Sequence, residues 1–284
     1  MIPDSIRNSI ESKLGHTLIS AEPVSGGDIN KASRVQFDNG NICFLKWNQD
    51  TPADMFEAEA HGLQLLRHSD CGLVIPEVLH TGPDHLLLNW ITEGNAVQNS
   101  AAEMGRALAR LHRNSSDRFG LERDNYIGRL TQSNRQYSNW FDFFAIERIE
   151  KQVQMGVESG KLRRPLLRKV QKLYPRLGHL FPAESPALLH GDLWSGNYMF
   201  TKDGTASIYD PATYYGHREM DLAMSRLFGG FPEAFYEGYN DAFPQEPGFE
   251  DRLHLYNLYP ILVHANLFGS AYAERAESII DRYV

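Results

Sequence analysis

The chain has 284 residues, 42% hydrophobic and 23% charged, with a formal net charge of −8. That length holds one large domain or two modest ones around a sizeable core. The acidic balance argues against nucleic acid as a partner, no run approaches the ~20 apolar residues of a membrane span, and two cysteines are too few for a disulfide framework or zinc cluster.

The N-terminal "MIPDSIRNSIESKLG" lacks the basic start and apolar run of a secretory signal, so a reduced, cytoplasmic compartment is expected. Ile2, Ile6, Ile10 and Leu14 fall at four-residue steps before Gly15, which predicts a short amphipathic helix. "KASRVQF" and "ICFLKW", separated by "DNGN", read as a strand hairpin. A helix is expected from about Ala53 to Arg67, followed by two strands, the second being "HLLLNWI". After a polar linker, "AAEMGRALARLHR", "SNWFDFFAIERIEKQV" and "RPLLRKVQKLYPRLGHL" all carry helical periodicity. The C-terminal segment is helical as well, with Pro260 expected to kink or break it. The fold class is therefore α+β, with a small antiparallel β-rich part over residues 1–91, a larger helical part over 92–284, and a cleft between them.

Within the helical part, "LLHGDLWSGNYMF" places a polar knot between two apolar runs. A turn between short strands would suffice for its Gly, Asp, Ser and Asn. Phosphoryl transfer from ATP makes sharper demands: a cation on the phosphates, an acid to fix that cation, two oxygen ligands for Mg²⁺, and an acid for the attacking hydroxyl. Protein kinases write the last parts as H-R-D-x-x-x-x-N with a later metal-binding Asp. His190, Asp192 and Asn197 have that spacing, and Asp210 follows. Asp192 is then the expected base, Asn197 and Asp210 the metal ligands, and His190 a buried brace.

The β-rich part has to supply the cation and its acid. Lys46 lies in "CFLKW", and the next helix offers Glu57 and Glu59. At 100° per residue Glu59 shares a side with Phe56, Leu63 and Leu66, while Glu57 points away into solvent. A carboxylate in an apolar stripe is costly unless paired, so Glu59 is the expected partner of Lys46. "VSGGDINKAS" precedes Lys46, and backbone amides around Gly26, Gly27 and Asn30 are candidates to reach phosphate. Asn89, Trp90 and Ile91 fall where a hinge would offer backbone groups to adenine. A metal-dependent hydrolase built on His190, Asp192, Asp210 and His217 is a competing reading, but it leaves Lys46, Glu59 and Asn197 unexplained. A non-catalytic binding module has no missing part to support it.

Longer segments sharpen this. "GGDINKA", "FEAEAHGLQLL", "DNYIG", "HGDLWSGN", "DPATYYGHREMDLAM", "LFGGF" and "LYPILVHANLFGSAY" together cover nearly the whole chain. The sequence resembles the fructosamine kinase, or ketoamine kinase, family, a branch of the protein-kinase-like small-molecule kinases that includes aminoglycoside and choline kinases. The resemblance implies a two-lobed kinase-like fold using ATP and Mg²⁺. It implies phosphorylation of a sugar hydroxyl, typically O3, of a ketosamine carried by a small molecule or a glycated protein lysine, in deglycation repair. It carries Lys46 and Glu59 over to the nucleotide, Asp192 to catalysis, and Asn197 with Asp210 to the metal. It puts Trp194 and His264 on the substrate side, against core packing and a helix-face histidine as the structural alternatives. Glu219 and Asp221, near the site in sequence, are compatible with an amine cation or equally with structural ion pairs. Two departures stand out. Asp210-Pro211-Ala212 replaces the Asp-Phe-Gly of protein kinases, and Asp28 stands where some relatives carry a cysteine.

Overall fold

The computed structural model describes residues 2–24 and 29–284. Helix α1 (Asp4–Leu14) ends at Gly15, whose left-handed φ of 70° and N–H bond to Glu11 close it. Strands β1 (Leu18–Pro23), β2 (Lys31–Phe37) and β3 (Ile42–Trp47) follow, then helix α2 (Met55–His68) and strands β4 (Val78–Gly82) and β5 (His85–Asn89). All five strands form one antiparallel sheet in the order β1-β2-β3-β5-β4. Alternation sorts β3 between two cores. Cys43, Leu45 and Trp47 join Ile6, Ile10, Val35 and Leu87 beneath α1. Phe44 lies on the opposite face, where Phe56, Leu63, Leu66, Leu86 and Leu88 continue into the main core. Lys46 alternates with Phe44 and so emerges toward α2.

The rest is mainly helical. Helix α3 (Ser100–His112) precedes the short hairpin β6 (Asn125–Ile127) and β7 (Leu130–Gln132). Helix α4 (Trp140–Phe143) runs through a π-helical stretch, Phe144–Glu150, into α5 (Lys151–Glu158), and α6 (Pro165–Leu180) follows. Strands β8 (Ala187–Leu189), β9 (Tyr198–Phe200), β10 (Ala206–Ile208) and β11 (Tyr214–Gly216) form two small antiparallel pairs, β9 with β10 and β8 with β11. Helices α7 (Glu219–Leu227), α8 (Glu233–Ala242), α9 (Phe249–Phe268) and α10 (Ser270–Tyr283) complete the chain.

Pro260 does not interrupt its helix: α9 runs through it for 20 residues. A proline removes one backbone bond at a cost of about 3 kcal/mol. Here the residues around it, Leu255 to Val263, are all buried, so packing on every side outweighs that loss. Among the described residues no helix is long and apolar enough to cross a membrane. Cys43 and Cys71 are both free and buried, one in each core.

The sheet meets the helical part through backbone bonds. Val74 N–H donates to Ala206 at 2.9 Å, Ile208 N–H to Val74 at 3.2 Å, and Gly94 N–H to Phe200 at 2.8 Å. These contacts tie β9 and β10, with the 190–197 knot before them, to the segments that precede β4 and follow β5.

Candidate active site

The knot is built by two buried groups. Asp221, from α7, accepts the backbone N–H of His190 at 2.7 Å and of Gly191 at 2.9 Å, and His112 of α3 lies 3.2 Å from it. His190 is fully buried and burial lowers its pKa, so the ring is neutral. Its Nε2 then donates to the Tyr209 carbonyl at 3.0 Å while Nδ1 accepts the Asp192 N–H at 3.3 Å. Gly191 has φ 82°, and a Cβ there would stand 2.1 Å from the Ala212 carbonyl oxygen, so only glycine fits this turn.

Asp192 projects beside Asn197. The Asn197 amide nitrogen donates to the Asp192 carbonyl at 2.9 Å and to its Oδ2 at 3.1 Å. Burial, reinforced by the nearby Asp210 carboxylate, pushes the Asp192 carboxyl up to about 8. Asp210 has φ 58°, the left-handed region that few non-glycine residues occupy and that clusters at functional sites. Its Oδ1 accepts from the Lys46 ammonium, which also donates to Glu59 Oε2 at 2.8 Å. Burial opposes the Lys46 charge, but Asp210 and Glu59 together hold its pKa well above the ordinary range. The Glu59 side chain is 10% exposed and the Glu57 side chain 64%. Glu57 is not simply solvated, however: Arg123 donates to it at 2.9 Å.

Two carboxylates, Glu59 and Asp210, thus meet on one cation, with the Asp192 carboxyl near enough to feel the Asp210 charge. The Asn197 nitrogen is committed to Asp192, so its oxygen faces away from that acid, and Asp210 is half exposed. An excess of oxygen donors and negative charge suits a hard dication such as Mg²⁺.

The other expected residues fall as follows. Gly26 and Gly27 lie outside the described residues. Asn30 is fastened by Asn48, whose amide donates to Asn30 Oδ1 at 3.2 Å and to the Ile29 carbonyl at 2.9 Å. Asn89 has one of its two backbone groups engaged within the sheet. As the last residue of β5, its backbone N–H donates to Glu77 at 3.0 Å, and its side-chain oxygen accepts from Glu77 at 2.6 Å, so that N–H is already bound. Trp90 and Ile91 follow as half-buried residues, and Arg34 stacks over the Trp90 ring at 5.7 Å. Trp194 is 39% exposed, not core, and meets Phe228 edge-on at 6.5 Å. His264 lies 5.0 Å from Phe228 and Tyr272 and 5.5 Å from Phe268, with its Nδ1 on the Pro260 carbonyl at 2.7 Å.

Glu219 and Asp221 do not face a substrate amine. Glu219 is fully buried and grips Arg252 with both oxygens, at 2.7 and 2.8 Å, while Asp221 holds the His190–Gly191 turn. His217 is fully buried beside Tyr256, at 3.1 Å, within the same helical core. The direct Asp210–Lys46 contact and the anchoring role of Asp221 were not foreseen. An aspartate inside the apolar "MDLAM" stretch was the one available signal for the second.

Comparison with known proteins gives the family. A "Protein-ribulosamine 3-kinase, chloroplastic" of Arabidopsis thaliana is 39% identical over 270 residues, covering 92% of this chain and 81% of its own. The crystal structure of a "putative fructosamine-3-kinase" from Thermobifida fusca matches with a TM-score of 0.89 at 33% identity, over 99% of this chain and 98% of the other. A streptomycin–ATP complex of the phosphotransferase APH(2")-IIa superposes over 99% of this chain and 97% of its own with a TM-score of 0.67; at 14% identity it shows the kinase-like fold alone. Residues 2–284 match the family described as fructosamine kinase, and the chain belongs to that family of phosphotransferases.

Proposed function

We propose that the protein transfers the γ-phosphoryl group of ATP to the O3 hydroxyl of a ketosamine, such as a fructosamine or ribulosamine adduct of lysine, in deglycation repair in the cytoplasm. The observation that carries this is Lys46, held at once by Glu59 and Asp210 beside the Asp192–Asn197 pair. Residues 1–91 serve as the nucleotide lobe and 92–284 as the catalytic and substrate lobe. Lys46 binds phosphate oxygens and Glu59 keeps it aimed. The Gly26–Gly27 loop and Asn30 cover the phosphates, and the backbone of Trp90 and Ile91 meets adenine. Asp192 orients the acceptor hydroxyl and takes its proton as the new O–P bond forms and the bond from γ-phosphorus to the ADP oxygen breaks. Asn197 and Asp210 would hold Mg²⁺, which would supply charge neutralisation for the transferring phosphoryl group.

Trp194 and His264 flank the acceptor. The names of the Arabidopsis relative and of the family support a ketosamine and the 3-position. An aminoglycoside- or choline-type acceptor is the second reading, supported by the shared fold of APH(2")-IIa. Two features weigh against the multiply charged aminoglycosides: Glu219 and Asp221 are occupied internally, and two exposed aromatics, Trp194 of the 190–197 segment and Phe228, meet edge-on there. An aromatic surface suits a single secondary ammonium through cation–π attraction. The test is ATP turnover with fructosyl-, ribulosyl- and erythrulosyl-lysine, an aminoglycoside and choline. Turnover of a ketosamine, followed by faster amine release from the product, is expected. Turnover of the aminoglycoside alone would move the assignment to the second reading.

A further inference from the structure

Glu59 and Asp210 reach Lys46 from parts of the chain far apart in sequence, α2 and the turn after β10. One short stretch, Glu122–Gln132, touches both.

Toward α2 it makes three polar contacts. The Tyr126 hydroxyl donates to Asp54 Oδ1 at 2.6 Å, Arg123 donates to Glu57 at 2.9 Å, and Glu122 lies 2.9 Å from His61 Nε2. Burial and the Asp54 carboxylate push the Tyr126 phenol up to about 12, so it stays a donor. These partners, at 54, 57 and 61, run along the face of α2 that Glu59 does not use.

Toward Asp210 the grip is buried. Asn125 donates to the Thr213 carbonyl at 2.8 Å and Gln132 to the Ala212 carbonyl at 3.0 Å. Both amides are themselves fixed. Gln132 and Asn134 each donate to Asn125 Oδ1 at 2.8 Å, Tyr259 donates to Gln132 at 2.6 Å, and the buried Arg148 on the π-helical stretch donates to Asn134 at 2.8 Å. The left-handed backbone of Asp210 needs neighbours that over-determine it, and two of the three carbonyls that follow it are held here. The gap between the two gripped elements is closed at Gly62 of α2, where a Cβ would meet Thr213 Oγ1 at 3.1 Å.

We propose that Glu122–Gln132 is a positioning element for phosphoryl transfer. It sets α2 and the Asp210 turn in the one relative placement that brings both carboxylates onto Lys46, with Arg123, Asn125 and Tyr126 as its working residues. The proposal rests on the phosphotransfer reading of Lys46. It assigns a role to the "DNYIG" segment that touches no reacting atom.

The Arg123–Glu57 pair is exposed enough to alter without endangering the fold, and such pairs contribute little to global stability. The experiment measures ATP affinity by calorimetry, hydrogen exchange over residues 55–68, and the thermal midpoint. The proteins are Arg123→Glu, Glu57→Arg, their charge-swapped double variant, and Tyr126→Phe. Each single charge reversal is expected to weaken ATP binding about fivefold and to speed exchange in α2, with the midpoint unchanged. The swapped pair should recover both, and Tyr126→Phe should move them in the same direction as the single reversals. Wild-type ATP affinity and α2 exchange in the single variants would overturn the proposal, as would a swap that recovers neither. Neither readout uses the acceptor, so a wild-type protein that ignores ketosamines would overturn only the substrate reading.

Discussion

In the helical core each buried acid has its own partners. Glu219 is held by both arms of Arg252, and Glu184 by Arg218 at 2.7 to 3.0 Å. Asp221 takes two backbone amides and His112, which keep its pKa below the usual range against the pull of burial. Around Lys46 the arithmetic is different. Two carboxylates, Glu59 and Asp210, share one ammonium with a third, Asp192, close by, and burial with the Asp210 charge raises the Asp192 pKa. The first arrangement is complete by itself; the second has charge and oxygen donors to spare. A fold places its surplus where a ligand is to complete it, and that contrast separates structural from chemical acids more cleanly than burial does.

Substitution is the most direct way to break the comparison. Asp192→Asn should lower turnover by about 10²–10⁴-fold, the usual range for a positioned proton acceptor. Asp210→Ala should cost at least as much, because it removes a ligand and a lysine partner together. Glu59→Gln should also cut turnover strongly. Asp192→Asn should keep nucleotide affinity near wild type; a large loss with the fold intact would reassign that residue to the nucleotide.

A structural acid should respond in the opposite currency. Arg252→Met leaves Glu219 buried without its cation, which typically costs about 3–5 kcal/mol. Denaturation should report that loss while turnover per folded molecule stays the same. A smaller effect comes from pH. Burial drives His217 down to about 4, with Glu219 opposing. Between that value and the unfolded value of about 6.5 the unfolded chain binds more protons. Stability is therefore full above about 6.5 and falls as pH drops toward 4, by on the order of 3 kcal/mol from this group. The thermal midpoint of His217→Gln should show a shallower acid slope over that window. The smallest effect is expected for Glu57→Gln, at most about 1 kcal/mol for an exposed pair. An equal effect at Glu57 and Glu59, read from turnover, would erase the distinction between the two faces of α2.

Local pattern explains what could be read in the sequence. The strand alternation around Lys46 and the 100° step along α2 point to Glu59, because both depend on residues only a few positions apart. The knot at 190–197 and Asp210 are similarly compact. What could not be read depends on distant pairing. Whether Glu219 faces solvent or Arg252 is decided by a helix that begins 30 residues later, and Asp221 by His112, 109 positions away. Asp210 meets Lys46 across 164 residues. Pro260 misleads for a related reason: the rule that proline ends helices is local, and burial on all sides of α9 is not. Asn89 shows the limit within a single strand, since only the register with Glu77 reveals that its N–H is taken.

The two thiols divide between the two cores. Cys43 lies in the small core under α1, and Cys71 in the main core that runs into the helices. Each is hidden from reagents in the closed protein, and burial further raises the Cys43 pKa, which makes that thiol a slower nucleophile. Their modification rates are therefore clocks for opening, one for each core. A disulfide exchange reagent, read separately at the two sulfurs by mass, would time whether the sheet and the helical body open together or one before the other. Nucleotide added to the same assay would reveal which clock it slows.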